Sequence, residues 1–453
     1  MKRVTGVEPA TLCLASTRSS QLSYTRTGKS NCNIARRSVN GDHDSEKDSA
    51  CKERFGPVRS VNPCDKATLM DFAFTEDQLL LQQTLRQFAK EQLLPNYARW
   101  DRGDKISREA IKEAAKLGIF GLRVPSKFGG LETDYVTCGL MTEELSRGDF
   151  NYSLYIQLGL IASELLAEFA HPDVQAEWLT RHATGDAVIA FGLTEPSAGS
   201  DAANITTRAV KMGDDYVISG EKASITFAGY ADACIVFART GDQGARGISA
   251  FLVPLDASGV TRQVYKTPGE RLTQRGSLFF DGVRVPARNR LGDESRGFAQ
   301  AMIAFDFNRA IIGLACVGAA QQSLDETIEY TKGRQVFGKP LAKFEGVAFQ
   351  VAEYLTLVEA ARLVSYKCLW LKDRGQKHTK EAAMAKWMGP KISAEAIHAC
   401  IILHGHYGYN MDSPLEQRWR DVVGLEIGDG TPEIMKGVVA REAFGREYTS
   451  YRD

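Results

Sequence analysis

The chain has 453 residues, which allows two to four domains with a substantial hydrophobic core. Because 56 Lys and Arg balance 56 Asp and Glu, and no block of five or more like charges occurs, the composition disfavours a nucleic-acid partner. Nine cysteines without a CxxC or HExxH motif argue against a disulfide framework and against a metal site, and they favour a reducing compartment.

Residues 1–69 differ in composition from the rest of the chain. They are rich in Ser, Thr, Arg and Asn, hold four of the nine cysteines and show no sustained apolar period, so they are poor material for a folded core. The excess of basic residues up to Asn40 also fits an organelle transit peptide, which would place the protein in the mitochondrial matrix. We favour a disordered or non-native extension from a misplaced start, and a cytoplasmic protein of bacterial type.

The folded part is predicted to begin at Met70, where Thr75 and Gln78 have the spacing of a capping box. Apolar residues then recur three and four positions apart, and Pro95 is expected to end this helix. The predicted helices are 76–94, a helix capped by Ser107, 135–147 and 154–169. Residues 70–188 are therefore predicted to form an N-terminal helical domain.

Within residues 189–297 the apolar period changes to two, in short segments rich in branched and aromatic residues. The expected strands are YVISG, SITF, CIVFART, ISAFLVP and SLFFDGVRVP. They do not alternate with helices and no GxGxxG motif occurs, so a Rossmann sheet is disfavoured. We predict a compact middle β domain.

Long helical patterns return in residues 298–453, with helices expected at 298–332, 344–374 and 380–403. The longest apolar run, 311–320, is about half of the ~20 residues that a membrane span needs, so no membrane association is expected. The whole chain is predicted to be mainly α, with a β domain between two helical domains.

A loop of small residues, FGLTEPSAGSD at 191–201, opens the β domain. Such a loop lets main-chain N–H groups and hydroxyls approach a flat polar ligand, although a turn-rich linker between domains has the same composition. Six further motifs follow it: GEKASIT, LFFDGVRVP, FDFNR, RQVFGKPLAKFEGVAFQ, HGHYGYN and RDVVGLEIGDGTPEI. Together, and in this order, the seven motifs resemble the acyl-CoA dehydrogenase family of flavoproteins from Met70 to Tyr448.

The resemblance implies an N-terminal helical domain, a middle β domain and a C-terminal four-helix bundle, which agrees with the three blocks. It also implies FAD as the cofactor, an acyl-CoA substrate, an electron-transfer flavoprotein as acceptor, and a homotetramer built as a dimer of dimers. In such an assembly Arg334 and Phe337 would reach the FAD of the neighbouring protomer.

Further site residues are implied by the matched motifs. Thr194 would lie near the pyrimidine side of the flavin, Ser200 near the pyrophosphate and the substrate, and Thr226 near flavin N5. The other positions expected at the cofactor are Phe191, Leu193, Gly199, Ser224, Glu345, His404, Gly405, Gly430 and Thr431. Substrate contacts are expected from Ser200, Asp306, Arg309 and Gly430.

Two of these positions depart from the family's pattern. Ser224 stands where a tryptophan usually packs beside the flavin, which leaves space for a bulkier or differently shaped acyl group. Glu345 stands where a glutamine commonly meets the cofactor, and it adds a negative charge there.

Asp429 lies between two glycines in LEIGDGTPEIMK, and an aspartate before a glycine is by itself a common turn residue. The resemblance implies that Asp429 is the base that removes the substrate α-proton, where most family members have a glutamate. The carboxylate is then retracted by one methylene, roughly 1.5 Å. Asn308 occupies the position that carries the base in other branches, and an amide cannot act as one.

These observations predict an FAD-dependent enzyme that introduces an α,β double bond into an acyl-CoA thioester. A short, branched or alicyclic acyl group is expected, such as cyclohexanecarboxyl-CoA in the degradation of fatty or alicyclic acids. An aspartate base also resembles the nitroalkane oxidase branch, which is the alternative enzyme. A flavin-binding interaction protein without catalytic activity is the alternative of another class.

Overall fold

The computed structural model describes residues 73–103 and 106–448, so the extension predicted at residues 1–69 lies outside the described residues. Within this part, helices come first, a β-sheet follows, and helices return. The helices before the sheet are α1 (Glu76–Phe88), α2 (Tyr97–Asp101), α3 (Arg108–Ala115), α4 (Tyr135–Gly148), α5 (Phe150–Phe169) and α6 (Pro172–Ala183).

Local sequence signals fix several helix ends. The capping box is confirmed, because Thr75 Oγ1 accepts a hydrogen bond from the Gln78 N–H at 3.2 Å and Gln78 Oε1 accepts one from the Thr75 N–H at 3.0 Å. A π-helical turn at Ala89–Leu93 continues α1 towards Pro95, as expected. The start of α5 was predicted four residues too late, since Asp149 caps the helix through the N–H of Asn151 at 2.7 Å.

The middle of the chain forms one eight-stranded sheet with the strand order β6-β7-β3-β2-β4-β5-β8, and β1 pairs with β4. The strands are β1 (Ile189–Gly192), β2 (Arg208–Met212), β3 (Asp215–Ile225), β4 (Ala233–Arg239), β5 (Ile248–Pro254), β6 (Val260–Val264), β7 (Gly276–Pro286) and β8 (Arg290–Leu291). Pairing is antiparallel except that β1 and β2 each run parallel to β4. No Rossmann unit is present among the described residues.

The predicted strand segments were partly right. YVISG and the start of SITF belong to one continuous strand, β3, which ends at Ile225, so Thr226 lies in the following turn. β2 and β6 were not predicted, because β2 buries a single residue and β6 buries none, which leaves little apolar alternation to detect.

Five long helices form the rest of the described chain: α7 (Gly297–Gly333), α8 (Glu345–Asp373), α9 (Thr379–His404), α10 (Pro414–Ile427) and α11 (Pro432–Phe444). A two-stranded hairpin, β9 (Gln335–Val336) and β10 (Lys339–Pro340), joins α7 to α8. α7 is long and apolar enough to cross a membrane, but 83% of its most apolar window is buried inside the protein, as in a core helix.

α7 packs against α9, α8 and α4 and is the central helix of this part. Its approach to α9 is close, since a Cβ at Gly389 would lie 2.6 Å from the Cα of Gly313. α7 also contacts α5, so residues of α5, α7 and α9 come together around the central helix.

Candidate active site

The predicted base lies in a short connection, 428–431, between α10 and α11. Asp429 has φ 55° and Gly430 has φ 110°, so both lie in the left-handed region, which Asp tolerates better than most residues and Gly readily. Thr431 caps α11 by accepting a hydrogen bond from the Ile434 N–H at 3.4 Å. The half-buried carboxylate is therefore presented from a turn whose two sides are anchored by helices.

Two amide side chains from other helices donate to the same oxygen of Asp429. Asn308 Nδ2, on α7, lies 2.9 Å from Asp429 Oδ2, and Gln157 Nε2, on α5, lies 3.5 Å from it. Asn308 is 0% exposed and Gln157 is 4% exposed. Among the described residues, none donates a hydrogen bond to Asp429 Oδ1. One carboxylate oxygen is thus occupied and the other is available.

Two cations hold the main chain around this carboxylate. Lys386 Nζ, on α9, donates to the carbonyl of Glu426 at 3.1 Å and to that of Gly430. Arg309 Nε donates to the carbonyl of Asp429 at 3.4 Å. Burial lowers the pKa of Lys386 to about 8, although the charge of Asp429 opposes this effect. The turn is therefore restrained from α7 and α9 together.

Arg309 also forms an ion pair with Asp306 at 3.4 Å, and Thr379 Oγ1 donates to the second oxygen of Asp306 at 2.8 Å. Arg309 is 8% exposed, and burial lowers its pKa against the attraction of Asp306 and Asp429. Both residues were predicted at the substrate. The structure gives Arg309 a contact with the main chain of the predicted base, and Asp306 neutralises and orients it.

The first two residues of the predicted cofactor loop, 191–201, belong to strand β1, so the loop begins at Leu193. It rests on a buried ion pair that the sequence reasoning missed. Lys222 Nζ, in β3, lies 2.7 Å from Glu195 Oε1 and donates to the carbonyl of Leu193 at 3.0 Å. Glu195 also accepts hydrogen bonds from the N–H groups of Thr206 at 2.6 Å and Thr207 at 2.9 Å. Burial opposes ionisation of Glu195, but the Lys222 charge and these donors lower its pKa to about 2.

The surface of this loop offers hydrogen-bond donors. The N–H groups of Ser197, Gly199 and Ser200 donate to no acceptor among residues 73–103 and 106–448, and a Cβ at Gly199 would meet nothing within 4 Å. Ser200 is exposed and Thr194 is half-buried. Free N–H groups and hydroxyls on an open loop suit a flat polar ring or a phosphate. In the described residues no three His, Cys, Asp or Glu side chains are grouped so as to hold a metal ion.

Two ring contacts connect predicted cofactor residues with the helices around the predicted base. Tyr155, on α5, stacks on Phe227 with ring centroids 4.5 Å apart, and Phe227 directly follows Thr226. Phe191, in β1 just before the loop, packs on Phe305 of α7 at 5.4 Å. Because α5 and α7 also carry Gln157 and Asn308, these two helices contact both the predicted cofactor residues and the carboxylate.

Ser224 and Thr226, also predicted at the cofactor, lie at the end of β3 beside these ring contacts. Ser224 is exposed with φ 58°, and its carbonyl accepts a hydrogen bond from Arg275 at 3.3 Å. Thr226 is half-buried in the following turn.

The remaining predicted residues form a separate group. Arg334, Phe337 and Glu345 are exposed around the β9–β10 hairpin, and Phe337 is 92% exposed with φ 50°. No described residue forms an ion pair with Arg334. His404 is buried and stacks on Tyr330 at 4.1 Å, and Gly405 after it is exposed. No hydrogen bond or ring contact between described residues connects this group to Asp429.

Family models match nearly all of the described chain. The N-terminal domain of acyl-CoA dehydrogenase matches residues 75–186, the middle domain matches 190–283 and the C-terminal domain matches 295–444. The chain belongs to the acyl-CoA dehydrogenase family of oxidoreductases, and its fold is the fold of that family.

Individual relatives agree with this assignment. The chain is 36% identical over 380 residues to the probable acyl-CoA dehydrogenase YngJ of Bacillus subtilis, covering 82% of this chain and 99% of the relative. It is 34% identical over 373 residues to the caffeyl-CoA reductase-Etf complex subunit CarC of Acetobacterium woodii, covering 81% and 98%. The solved butyryl-CoA dehydrogenase of Megasphaera elsdenii superposes with a TM-score of 0.80 at 32% identity, covering 83% and 100%.

Proposed function

We propose that the protein is an FAD-dependent dehydrogenase that forms the α,β double bond of a short, branched or alicyclic acyl-CoA, with Asp429 as the base. The observation that carries this proposal is the geometry of Asp429. Its carboxylate stands at a helix junction, directed by two buried amides, with Oδ1 free of hydrogen bonds from the described residues.

The proposed chemistry assigns two atoms of one residue. Asp429 Oδ1 takes the α-proton, and the Asp429 N–H, which donates to no described residue, is available to the thioester oxygen. A main-chain donor at that oxygen stabilises the negative charge that develops as the proton leaves. When bound, FAD supplies the acceptor for the β-hydride. Lys386 and Arg309 restrain the turn, and they therefore hold the N–H and the carboxylate of Asp429 at a fixed distance and orientation to each other.

The proposed FAD contacts begin with the loop 193–200, whose free N–H groups and hydroxyls fit the polar parts of the cofactor. Thr226 and Ser224 would lie beside the flavin ring, and Gly430 and Thr431 would close the site. The buried pair of Lys222 and Glu195 supports this assignment, because it holds the loop in place without using its outward donors.

A small acyl group is supported by how closely side chains surround the base. The buried amides of Asn308 and Gln157 contact the carboxylate, and α5, which carries Gln157, also carries the ring of Tyr155 stacked on Phe227. Rigid aromatic side chains do not yield readily to a long alkyl chain. The similarity to a butyryl-CoA dehydrogenase is consistent with a short substrate.

We also propose a homo-oligomer in which Arg334 and Phe337 reach the cofactor of a neighbouring protomer. Large apolar side chains are exposed on this part of the protein: Phe337, Phe349, Ile402, Ile427 and Phe444 are each more than 60% exposed. Within the 29 residues of α8, no residue before Val358 is buried. Exposed apolar side chains favour an interaction site where they adjoin one another. Electron-transfer flavoprotein is the proposed acceptor, by similarity to CarC.

Anaerobic mixing with a panel of acyl-CoA thioesters tests the reaction. Butyryl-CoA, isobutyryl-CoA and cyclohexanecarboxyl-CoA should bleach the bound flavin, whereas octanoyl-CoA should act slowly. Asp429→Asn should retain FAD but reduce at least ~10³-fold more slowly, because the amide cannot take the proton. Glu433→Gln, which changes an exposed carboxylate four positions away, is the matched control.

Three results would contradict the proposal in different ways. Wild-type reduction by Asp429→Asn would remove the base assignment. Bleaching by nitroethane but by no acyl-CoA would indicate an oxidase of carbon acids instead. Purified protein that takes up no FAD would leave only an interaction role. For the oligomer, light scattering should give a multiple of the protomer mass, and Phe337→Asp should lower FAD occupancy and oligomer size together.

A further inference from the structure

Two buried amides converge on one oxygen of Asp429, and they come from helices that are distant in sequence. Gln157 is 272 residues before Asp429 and Asn308 is 121 residues before it. We propose that Asn308 and Gln157 are positioning residues that occupy Oδ2 and thereby reserve Oδ1 for the substrate proton. This inference rests on the proposed function, since it concerns how the base of that reaction is held.

The orientation of both amides follows from the chemistry of their partner. An ionised carboxylate only accepts hydrogen bonds, so each amide must turn its NH₂ group towards it. This leaves Asn308 Oδ1 and Gln157 Oε1 buried without a hydrogen-bond partner among the described residues. Buried polar atoms are nearly always paired, and an unpaired one calls for an explanation. Here both carbonyl groups are left unpaired while both donors point at the same oxygen.

The two amide hydrogen bonds determine the rotation of the Asp429 carboxylate. The aspartate carboxylate can rotate about its last bond, and its turn has an uncommon left-handed backbone conformation, so the side chain alone does not determine which oxygen faces the substrate. Two donors on Oδ2, one at 2.9 Å and one at 3.5 Å, fix that rotation.

Other charges lie around the same turn, and they remain in place when the amides are changed. Arg309 on α7 and Lys386 on α9 bind its main chain, and Asp306 pairs with Arg309. The charge of Glu426 on α10 acts on Lys386, and that of Arg441 on α11 acts on Arg309. Since none of them donates to Oδ2, replacing an amide removes hydrogen bonds without removing a charge. A change in the limiting rate then reports on the amides.

The test compares Asn308→Leu and Gln157→Leu with Gln300→Leu in the FAD-bound protein. Gln300 is a matched control because it lies on α7, is 3% exposed, donates to the Leu291 carbonyl at 2.9 Å and also has an unpaired buried Oε1. The pH dependence of the limiting rate of anaerobic flavin reduction and the Kd of butyryl-CoA are measured for each, with thermal unfolding as the check of folding.

For Asn308→Leu we expect the limiting rate to fall ~10-fold or more, because the carboxylate loses a hydrogen bond that orients it. The Kd should change less than about threefold, since neither amide binds the substrate. Gln157→Leu should give a smaller fall in rate, and Gln300→Leu should lower stability without changing the rate profile.

The outcomes separate this inference from the proposed function. If Asp429→Asn is inactive but both amide variants keep the wild-type profile, the positioning role is wrong and the base assignment stands. If Asp429→Asn is fully active, the base assignment fails, and this inference fails with it. Should Asn308→Leu not fold, Gln157→Leu decides the matter, and an unchanged rate profile there would falsify the proposal.

Discussion

Replacing Lys222 by Met should destabilise the protein strongly, because it leaves the partner carboxylate buried. Lys222 is 0% exposed and Glu195 is 3% exposed, and their charged atoms lie 2.7 Å apart. Met has nearly the same length and fills the same space, so the change removes the charge rather than the packing. Glu195 would keep the donors of Thr206 and Thr207 but would lose its only cationic partner among the described residues.

The expected loss follows from general values for buried ion pairs. Removing one partner of such a pair costs about 3–5 kcal/mol. An unfolding entropy of roughly 2.1 cal/mol/K per residue over about 370 folded residues amounts to about 0.8 kcal/mol/K, so the midpoint of thermal unfolding should fall by about 4–6 °C. The loop 193–200 should loosen as well, because Lys222 also donates to the Leu193 carbonyl, and the affinity for FAD should fall with it.

Calorimetry of the wild type and Lys222→Met measures the midpoint, with Lys332→Met as the control. Lys332 pairs with Glu329 at the same distance of 2.7 Å, but both side chains are more than half exposed. An exposed pair contributes about 0–1 kcal/mol, so the control should shift by about 1 °C or less. The double variant Lys222→Met with Glu195→Gln should recover part of the loss. Equal midpoints for Lys222→Met and Lys332→Met would refute the reasoning.

Two further predictions concern acidic residues, one at a helix cap and one at the predicted base. Burial raises the pKa of Asp149 to about 6 from an ordinary 3.8, so its contribution to stability is fully present below 3.8 and is lost as pH rises through 6. Because each unit of pKa is worth about 1.36 kcal/mol, this loss amounts to about 3 kcal/mol. In urea titrations between pH 4 and 7, Asp149→Asn should keep the helix cap but lose this dependence, and a slope equal to that of the wild type would contradict the assignment. The variant Asp429→Glu should reduce flavin ~10²-fold more slowly, because the added methylene moves the carboxylate by roughly 1.5 Å towards Asn308. Stopped-flow reduction by butyryl-CoA measures this rate. A wild-type rate would show that the contact with Asn308 does not constrain the base.

The features that the sequence predicted well depend on residues that are close to one another in sequence. The capping box of Thr75 and Gln78 and the end of the first helix before Pro95 are set within a few positions. The change from helical to strand periodicity likewise follows from side chains close in sequence, and it predicted the three-block fold. β6 was missed because a strand without buried residues carries no such period.

The contacts of the candidate site join residues that are distant in sequence, and local sequence patterns do not predict them. Lys222 lies between YVISG and SITF, which were predicted as two separate strands and which β3 joins into one. A lysine at a buried strand position is itself a signal of a buried acid. Its partner Glu195 is 27 residues away, in a loop whose acid was not considered. Pairing the two requires the register that places β3 beside the end of β1, and no periodicity contains that information.

The sequence likewise did not predict the contact between Asp429 and Asn308, and this contact changes how the aspartate is interpreted. From the sequence, Asn308 could only be excluded as an alternative base and Asp429 could only be described as short. In the structure they are hydrogen-bonded partners 2.9 Å apart, and an acid longer by one methylene would be brought against the amide if it extended in the same direction. A glutamate in this turn would therefore require a smaller residue at 308, so the two positions should vary together. The aspartate and the amide beside it therefore act together. The aspartate side chain extends less far towards the substrate than a glutamate would, and Asn308 fixes which carboxylate oxygen faces the substrate.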